Sequence, residues 1–181
     1  KKPLELEYIK TQVSLGSLIK KKLTSSNIEA ATKSILLNDL VKFIRVSSDK
    51  PELFILEKTL KKGHVILDLS LNIDDNGVIK NDYEIKGLIK DAKVNFLNRN
   101  KFENINFNFN LKKDNFIFSE IKFKTKEVNF ISKKLNIEKR NNSFLLSGAI
   151  KNNQSDLNID ILKLLNLNFE NINLEDVRFT T

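Results

Sequence analysis

The chain has no cysteine, methionine or tryptophan, and only two prolines and five glycines in 181 residues. Without cysteine it forms neither disulfides nor thiolate metal sites. No run of about 18 apolar residues occurs, so we expect no transmembrane helix within it. The mixed residues after Lys1 and Lys2 do not resemble a signal peptide. Because Lys1 stands first and methionine is absent, we expect a piece of a longer polypeptide.

Signatures of catalysis and metal binding are missing as well. We find no GxSxG, P-loop, dinucleotide fingerprint, HExxH or paired Cys/His set. His64 is the only histidine, and a lone histidine makes neither a catalytic triad nor a metal site, so we expect it on the surface. Asp74–Gly77 resembles the start of a calcium loop but lacks the remaining ligands, which favours a plain turn. We therefore predict no enzymatic activity, no cofactor and no metal.

The net charge is +8, but it does not point to a partner. Lysines are scattered among aspartates and glutamates, and the longest basic run is Lys20–Lys22. A basic sheet with stacking aromatics would fit nucleic acid, and it is a third, weaker hypothesis. We expect no nucleic-acid partner, because the candidate aromatics lie on the face opposite the polar residues. They are Phe107, Phe109, Phe116, Phe118 and Phe123.

The first 62 residues mix strand and helix patterns. Leu4–Tyr8 alternates as a strand does. Apolar residues at helical spacing predict three short helices, and Gly63 is expected to end the last of them. The predicted helices are Ser14–Leu23, Lys33–Val46 and Pro51–Lys62.

From Gly63 onward, alternation with a period of two dominates. The strand His64–Ile73 is followed by the turn Asp74–Gly77, in which Asn and Gly tolerate positive φ. Further short strands separated by turns predict an antiparallel meander. They are Asn81–Lys90, Lys93–Phe96, Ile105–Leu111, Ile117–Lys124, Val128–Ile131, Lys133–Lys139, Ser143–Lys151, Asp156–Leu162 and Glu170–Phe179. We expect residues 1–62 and 63–181 to form one continuous unit.

The string FENIN occurs twice, at Phe102–Asn106 and Phe169–Asn173. A strand with one dry and one wet face needs strict alternation, and asparagine supplies the wet face here. The alternation slips near Ser119 and Glu120, which indicates a bulge. The pattern leaves open whether Ile117 or Phe118 points towards the apolar face.

The apolar face needs a cover. Eight nine-residue strands present about 1,100 Å² on one face, whereas a 12-residue helix covers about 180 Å². Two or three short helices therefore hide less than half of the sheet. The sheet either closes into a sandwich or barrel or keeps an apolar groove for a non-protein partner.

Two stretches carry a family resemblance. Gly63 with the alternating strand, the Asp-Asn-Gly turn and GLIKDAKVNF form the first, and residues 106–162 form the second. Both resemble the C-terminal part of AsmA-like proteins, of the bridge-like lipid transfer superfamily. SILLNDLVKFIRV resembles the amphipathic segment that commonly precedes those strands.

The resemblance implies a fold and a function. Proteins of this family are anchored in the bacterial inner membrane and extend into the periplasm as a rolled, groove-forming β-sheet. They are thought to carry phospholipids towards the outer membrane. This chain would be one section of such a protein, with the anchor outside it and phospholipid acyl chains as its partner.

The fold expected here is mainly β with a few short helices, either a meander curled into a groove or a closed sandwich. The closed form would serve as a scaffold or assembly module of the envelope. In the groove form, the apolar residues that alternation places on one face of the sheet line the groove. They are Val65, Leu67, Leu69, Leu71, Ile73, Tyr83, Ile85, Ile89, Ile105, Phe107, Phe109, Leu111, Ile121, Phe123, Phe144, Leu146, Ile150, Leu157, Ile159 and Ile161.

Overall fold

The computed structural model describes residues 5–13, 26–47, 50–74, 76, 78–96, 100–141, 143–152 and 177–180. Within these ranges, ten strands and two helices follow one another along the chain. They are β1 (Leu6–Val13), β2 (Ser26–Thr32), β3 (Ile35–Leu36), α1 (Leu37–Ser47), α2 (Pro51–Thr59), β4 (Leu60–Ile73), β5 (Glu84–Phe96), β6 (Asn100–Leu111), β7 (Asn115–Thr125), β8 (Val128–Arg140), β9 (Ser143–Asn152) and β10 (Val177–Thr180).

All ten strands belong to one sheet. The order is β1-β2-β4-β5-β6-β7-β8-β9-β10, and β3 pairs with β4 beside β2. Neighbours are antiparallel, except that β10 runs parallel to β9. The outer strands β1 and β10 do not pair, so the sheet is not closed into a barrel. This confirms the predicted antiparallel meander, and within the described ranges no second sheet stacks on it.

The sheet reaches further towards the N-terminus than the alternation pattern indicated. β1 confirms the strand predicted at Leu4–Tyr8 and continues to Val13. β2 was not predicted, because Ser26–Thr32 offers small and polar residues that produce little alternation. Both strands join β4, so residues on either side of Gly63 share one sheet.

The sequence predicted that Gly63 ends a helix, and this prediction is wrong. α2 ends at Thr59, and Gly63 lies inside β4 with φ of 141°. A Cβ atom at Gly63 would lie 2.9 Å from the Cβ of Ala92, and Leu37 of α1 is also close. Glycine is therefore needed where β4 and β5 approach each other beneath α1.

The predicted short strands merge into longer ones because bulges, which disturb the alternation, do not break the strands. Lys93–Phe96 belongs to β5, and Lys133–Lys139 belongs to β8. Asp91 in β5, Asn104 in β6 and Glu120 in β7 have positive φ of 51°, 52° and 53°. The register between the strands shifts near them. A bulge bends its strand and increases the local twist, so this line of bulges bends the sheet across its width.

Two halves of the apolar face lie on either side of the bulge line. Large side chains are half-buried in the half that contains Leu67–Ile73. The other half contains the buried residues Val128 and Phe130, which pack against the half-buried Phe123 and Ile150. Both helices lie at the β4–β5 end of this second half, where Val41 and Leu60 are buried.

Candidate functional site

The apolar face is continuous across six strands. Residues paired across neighbouring strands project to the same side of a sheet. The pairing forms one row from β4 to β9, whose members are Leu69, Ile85, Leu111, Phe116, Ile137 and Leu146. A second row runs parallel to it, through Leu67, Gly87, Phe109, Phe118, Leu135 and Gly148.

Phe118, not Ile117, lies on this face. Its ring meets the ring of Phe107 edge-on, at 5.8 Å between centroids, and Phe107 also contacts Phe109 at 6.2 Å. The bulge at Glu120 then returns Ile121 and Phe123 to the same side, because one extra residue restores the alternation. This answers the ambiguity that the sequence left open and explains the slip near Ser119.

The second row contains two glycines, each next to a large side chain of the neighbouring strand. A Cβ at Gly87 would lie 2.4 Å from Cζ of Phe109 and 2.5 Å from the carbonyl oxygen of Ile66. A Cβ at Gly148 would lie 2.6 Å from Cδ2 of Leu135. Each glycine thus gives room for a large side chain of the neighbouring strand, an arrangement that pins register.

Most members of the predicted lining are half-buried. This holds for Leu67, Leu69, Leu71, Ile73, Tyr83, Ile85, Ile89, Ile105, Phe107, Phe109, Leu111, Phe123, Leu146 and Ile150. Phe144 is exposed, whereas Val65 and Ile121 are buried, at 1% and 8% exposure. Leu157, Ile159 and Ile161 lie outside the described residues, as do the predicted helix Ser14–Leu23 and the second FENIN.

The first FENIN string forms the bulge, which the sequence did not reveal. Asn104 holds the positive φ. The side-chain amide of Asn106 donates to the carbonyl oxygen of Asn104 at 2.7 Å, and its oxygen accepts from the backbone N–H of Asp91 at 3.0 Å. One asparagine side chain therefore joins the bulges of β5 and β6. Asparagine here shapes the sheet in addition to making one face polar.

The opposite face is held together by polar contacts. Asn27 donates to Asn72, which donates to Asp82. Nearby, Glu84 accepts from Lys86 and Asn110, both at 2.9 Å, while Lys112 lies 3.4 Å away. The hydrogen bond from Lys86 and then that from Asn110 lower the pKa of Glu84 to about 2. The bond from Asn27 to Asn72 thus joins β2 to β4, and the bond from Asn110 to Glu84 joins β6 to β5 on the polar face.

The polar face also carries a partly apolar depression that alternation did not predict, and Gly87 and Phe109 of the second row contribute to its lining. Its volume is about 410 Å³, and its lining includes Ile66, Leu88 and Ile117 beside Asn108 and Lys86. Ile66 and Leu88 are cross-strand partners in β4 and β5. The alternation rule assigns them to the polar side correctly but does not forbid apolar residues there.

Three predictions from the sequence, which concern a metal site, His64 and the Asp74–Gly77 turn, can be compared with the described residues. No group of three His, Cys, Asp or Glu side chains there could hold a metal ion. His64 is exposed, as expected. Asp74 accepts from the backbone N–H groups of Asn76 and Val78, so these residues make a turn.

No helix among the described residues is long and apolar enough to cross a membrane. Comparison with models of known protein families gives no match for this chain. Neither curated proteins nor solved structures show a significant similarity to it.

Proposed function

We propose that this chain is a section of an envelope AsmA-like protein whose apolar β-groove shields phospholipid acyl chains during transfer between the inner and outer membranes. The observation that supports it most is the half of the sheet face lined by Leu69, Ile85, Leu111 and their row partners. Large aliphatic and aromatic side chains there stay half-exposed within a single-layered sheet. An apolar surface of this extent normally marks a binding site.

Acyl chains suit this surface for an energetic reason. Each methylene exposed to water costs about 0.8 kcal/mol, and an apolar trough removes that cost while the headgroup stays hydrated. The six strands from β4 to β9 give a trough about 29 Å wide before bending. Such a site needs shape and apolar lining, and it needs no nucleophile or metal.

The proposed lining is narrower than the alternation alone suggested. Val65 and Ile121 are buried and have no surface to offer a lipid, so we leave them out. Phe123 and Ile150 pack against the buried pair Val128 and Phe130. They belong to the packed half of the face, on the other side of the bulge line from the proposed groove. The working surface is the other half.

The packed half gives some support to the second candidate, a scaffold module without lipid cargo. Both candidates can be compared with one pair of variants. Phe107→Asp places a charge on the proposed groove, and Asn108→Asp places one on the exposed position beside it, on the other face. We expect Phe107→Asp to keep its circular dichroism spectrum and to lose bound phospholipid in native mass spectrometry. Asn108→Asp should keep both.

The scaffold candidate predicts a different result for the same protein. If the face is a sealed core, Phe107→Asp unfolds the chain, because a buried unpaired charge is strongly destabilising. A parent protein from which organic extraction recovers no phospholipid would also contradict the groove.

A further inference from the structure

Two short helices, α1 and α2, carry apolar side chains that are not buried against the sheet. On α1, Ile44 and Val46 are 40% and 62% exposed; on α2, Phe54, Ile55 and Leu56 are 51%, 52% and 41% exposed. α2 has no buried residue at all. Leu53–Leu56 are four consecutive apolar residues of α2, which point to all sides of a helix with 3.6 residues per turn, so the sheet cannot cover all of them. The five side chains, which we call the helical patch, therefore indicate a surface that meets a partner.

The helical patch is held in place by contacts on its other side. Arg45 of α1 bonds to Glu57 of α2 at 2.6 Å, which joins the two helices. Val41 is buried, and Leu37 approaches Gly63 of β4. The patch is thus presented by a fixed pair of helices.

Basic residues outnumber acidic ones in the two helices and the segments that flank them. Residues 37–62 contain six Lys or Arg and four Asp or Glu, and one of the acids, Glu57, is already bonded to Arg45. The ammonium group of Lys58 lies 5.5 Å from the ring centroid of Phe54. Among the residues that the structure describes, the helices and the adjoining positions carry five exposed lysines, against one exposed acid, Glu52; the lysines are Lys42, Lys50, Lys58, Lys61 and Lys62.

Exposed apolar side chains with lysines near them in the chain are typical of segments that bind the surface of a lipid bilayer. At the surface of a bilayer, apolar side chains enter the boundary between headgroups and acyl chains, while lysines reach anionic headgroups. We propose that α1 and α2 dock on a phospholipid bilayer that contains anionic lipids, with Phe54, Ile55 and Leu56 inserted. The site is separate from the groove lining, and it does not depend on whether the groove holds a lipid.

Its position gives the docking a consequence. The helices contact β4 and β5 at the end where Gly63 and Ala92 lie, on the apolar side of the sheet. Docking would therefore place this end of the sheet at the membrane surface.

Flotation with vesicles tests the proposal. The whole chain is mixed with vesicles of phosphatidylethanolamine and phosphatidylglycerol, or of phosphatidylcholine alone. We expect the parent protein to bind the anionic vesicles. The double variant Phe54→Ser/Ile55→Ser should have an affinity for them at least about tenfold lower, because the apolar contact is lost. Lys58→Glu/Lys61→Glu should weaken binding by about fivefold or more per lysine. Val78→Ser/Ile131→Ser is the matched control, because it removes two exposed apolar side chains elsewhere and should bind as the parent does.

The control matters because a net charge of +8 alone attracts the protein to anionic vesicles. Binding that Phe54→Ser/Ile55→Ser retains, or the absence of binding by a folded parent, overturns the proposal. Self-association that depends on Phe54 and Ile55 without vesicle binding would make a second copy the occupant and overturn it too. Lipid carried in the groove, measured by mass spectrometry, should be unchanged in the helix variants, which separates this test from that of the groove.

Insertion can be observed directly, since the chain has no tryptophan. Phe54→Trp should show a blue shift of its emission with anionic vesicles and quenching by brominated acyl chains. Val78→Trp, in an exposed segment away from the helices, should show neither. A Phe54→Trp emission that vesicles leave unchanged contradicts insertion.

Discussion

Single residues set the shape of the apolar face, and Gly87 is the clearest case. Gly87→Ala would place a methyl group 2.4 Å from the ring of Phe109 and 2.5 Å from the backbone oxygen of Ile66. The ring can move, but the backbone oxygen of a paired strand cannot move easily. We expect a loss of about 1–3 kcal/mol in the free energy of unfolding, measured by urea denaturation. Adding Phe109→Leu should recover part of it, and an unchanged midpoint for Gly87→Ala would contradict the close packing.

Asn104 offers a second residue-scale test, because its φ of 52° is uncommon for a non-glycine residue. Asn104→Gly should be close to neutral, whereas Asn104→Val should lose about 1–2 kcal/mol, the cost of the left-handed region for a side chain branched at Cβ. Chemical denaturation of both variants measures the difference. Equal stabilities would show that the bulge does not constrain this position.

Asn106 tests the polar support of the same bulges. Asn106→Ala removes the hydrogen bonds to Asp91 and Asn104, so we expect a loss of about 1–2 kcal/mol in the free energy of unfolding. Asn108→Ala, two residues along the strand on the same face, is the control and should change it by less than about 0.5 kcal/mol.

At the scale of elements, the contact between β5 and β6 depends on an ionised carboxylate. The folded-state pKa of Glu84 is lowered from 4.5 to about 2 by Lys86, Asn110 and Lys112. A lowered pKa in the folded state gives stability that is present above pH 4.5 and is lost as the pH falls towards 2. Unfolding measured across this window should therefore show less pH dependence in Glu84→Gln than in the parent. Glu52→Gln, at an exposed site on α2, controls for the change in charge and should keep the parent's slope.

Elements also show how far the sequence could predict the fold. Strict alternation in His64–Ile73 and Ile105–Leu111 was enough to predict most of β4 and the C-terminal part of β6, whereas Leu60–Lys62 of β4 had been predicted as helix. The same rule divided β5 and β8 into short pieces, because it cannot distinguish a bulge from a turn when one extra residue shifts the pattern. β2 was not predicted because its residues are held in the sheet by pairing with β1 and β4. Pairing with distant strands does not appear in a local sequence pattern.

Glycine was misread for a related reason. Gly63 follows a helical pattern, so a helix end was the natural expectation, yet its φ of 141° serves the approach of Ala92. Candidate lining residues were easier to predict than their exposure. Alternation placed Val65 on the right face, but only the packing of the helices and β3 shows that it is buried.

On the scale of the whole molecule, the bend divides the apolar face into a packed half and an open half. The packed half, around Val128 and Phe130, supplies the core that the fold requires. Because this core stabilises the fold, the side chains of the open half can stay half-exposed. Whether hydrocarbon fills the open half is the central claim, and a photo-crosslinker placed on either side of the sheet answers it.

The measurement uses benzoylphenylalanine at two adjacent positions of β6, Phe109 and Asn108. Phe109 belongs to the row that crosses the proposed groove, and Asn108 lies on the other face, beside the apolar depression. After irradiation of protein carrying lipid, we predict a phospholipid adduct by mass at position 109 and none at position 108. An adduct at 108 alone, or no adduct at 109 from a folded protein incubated with phospholipid, would contradict the account.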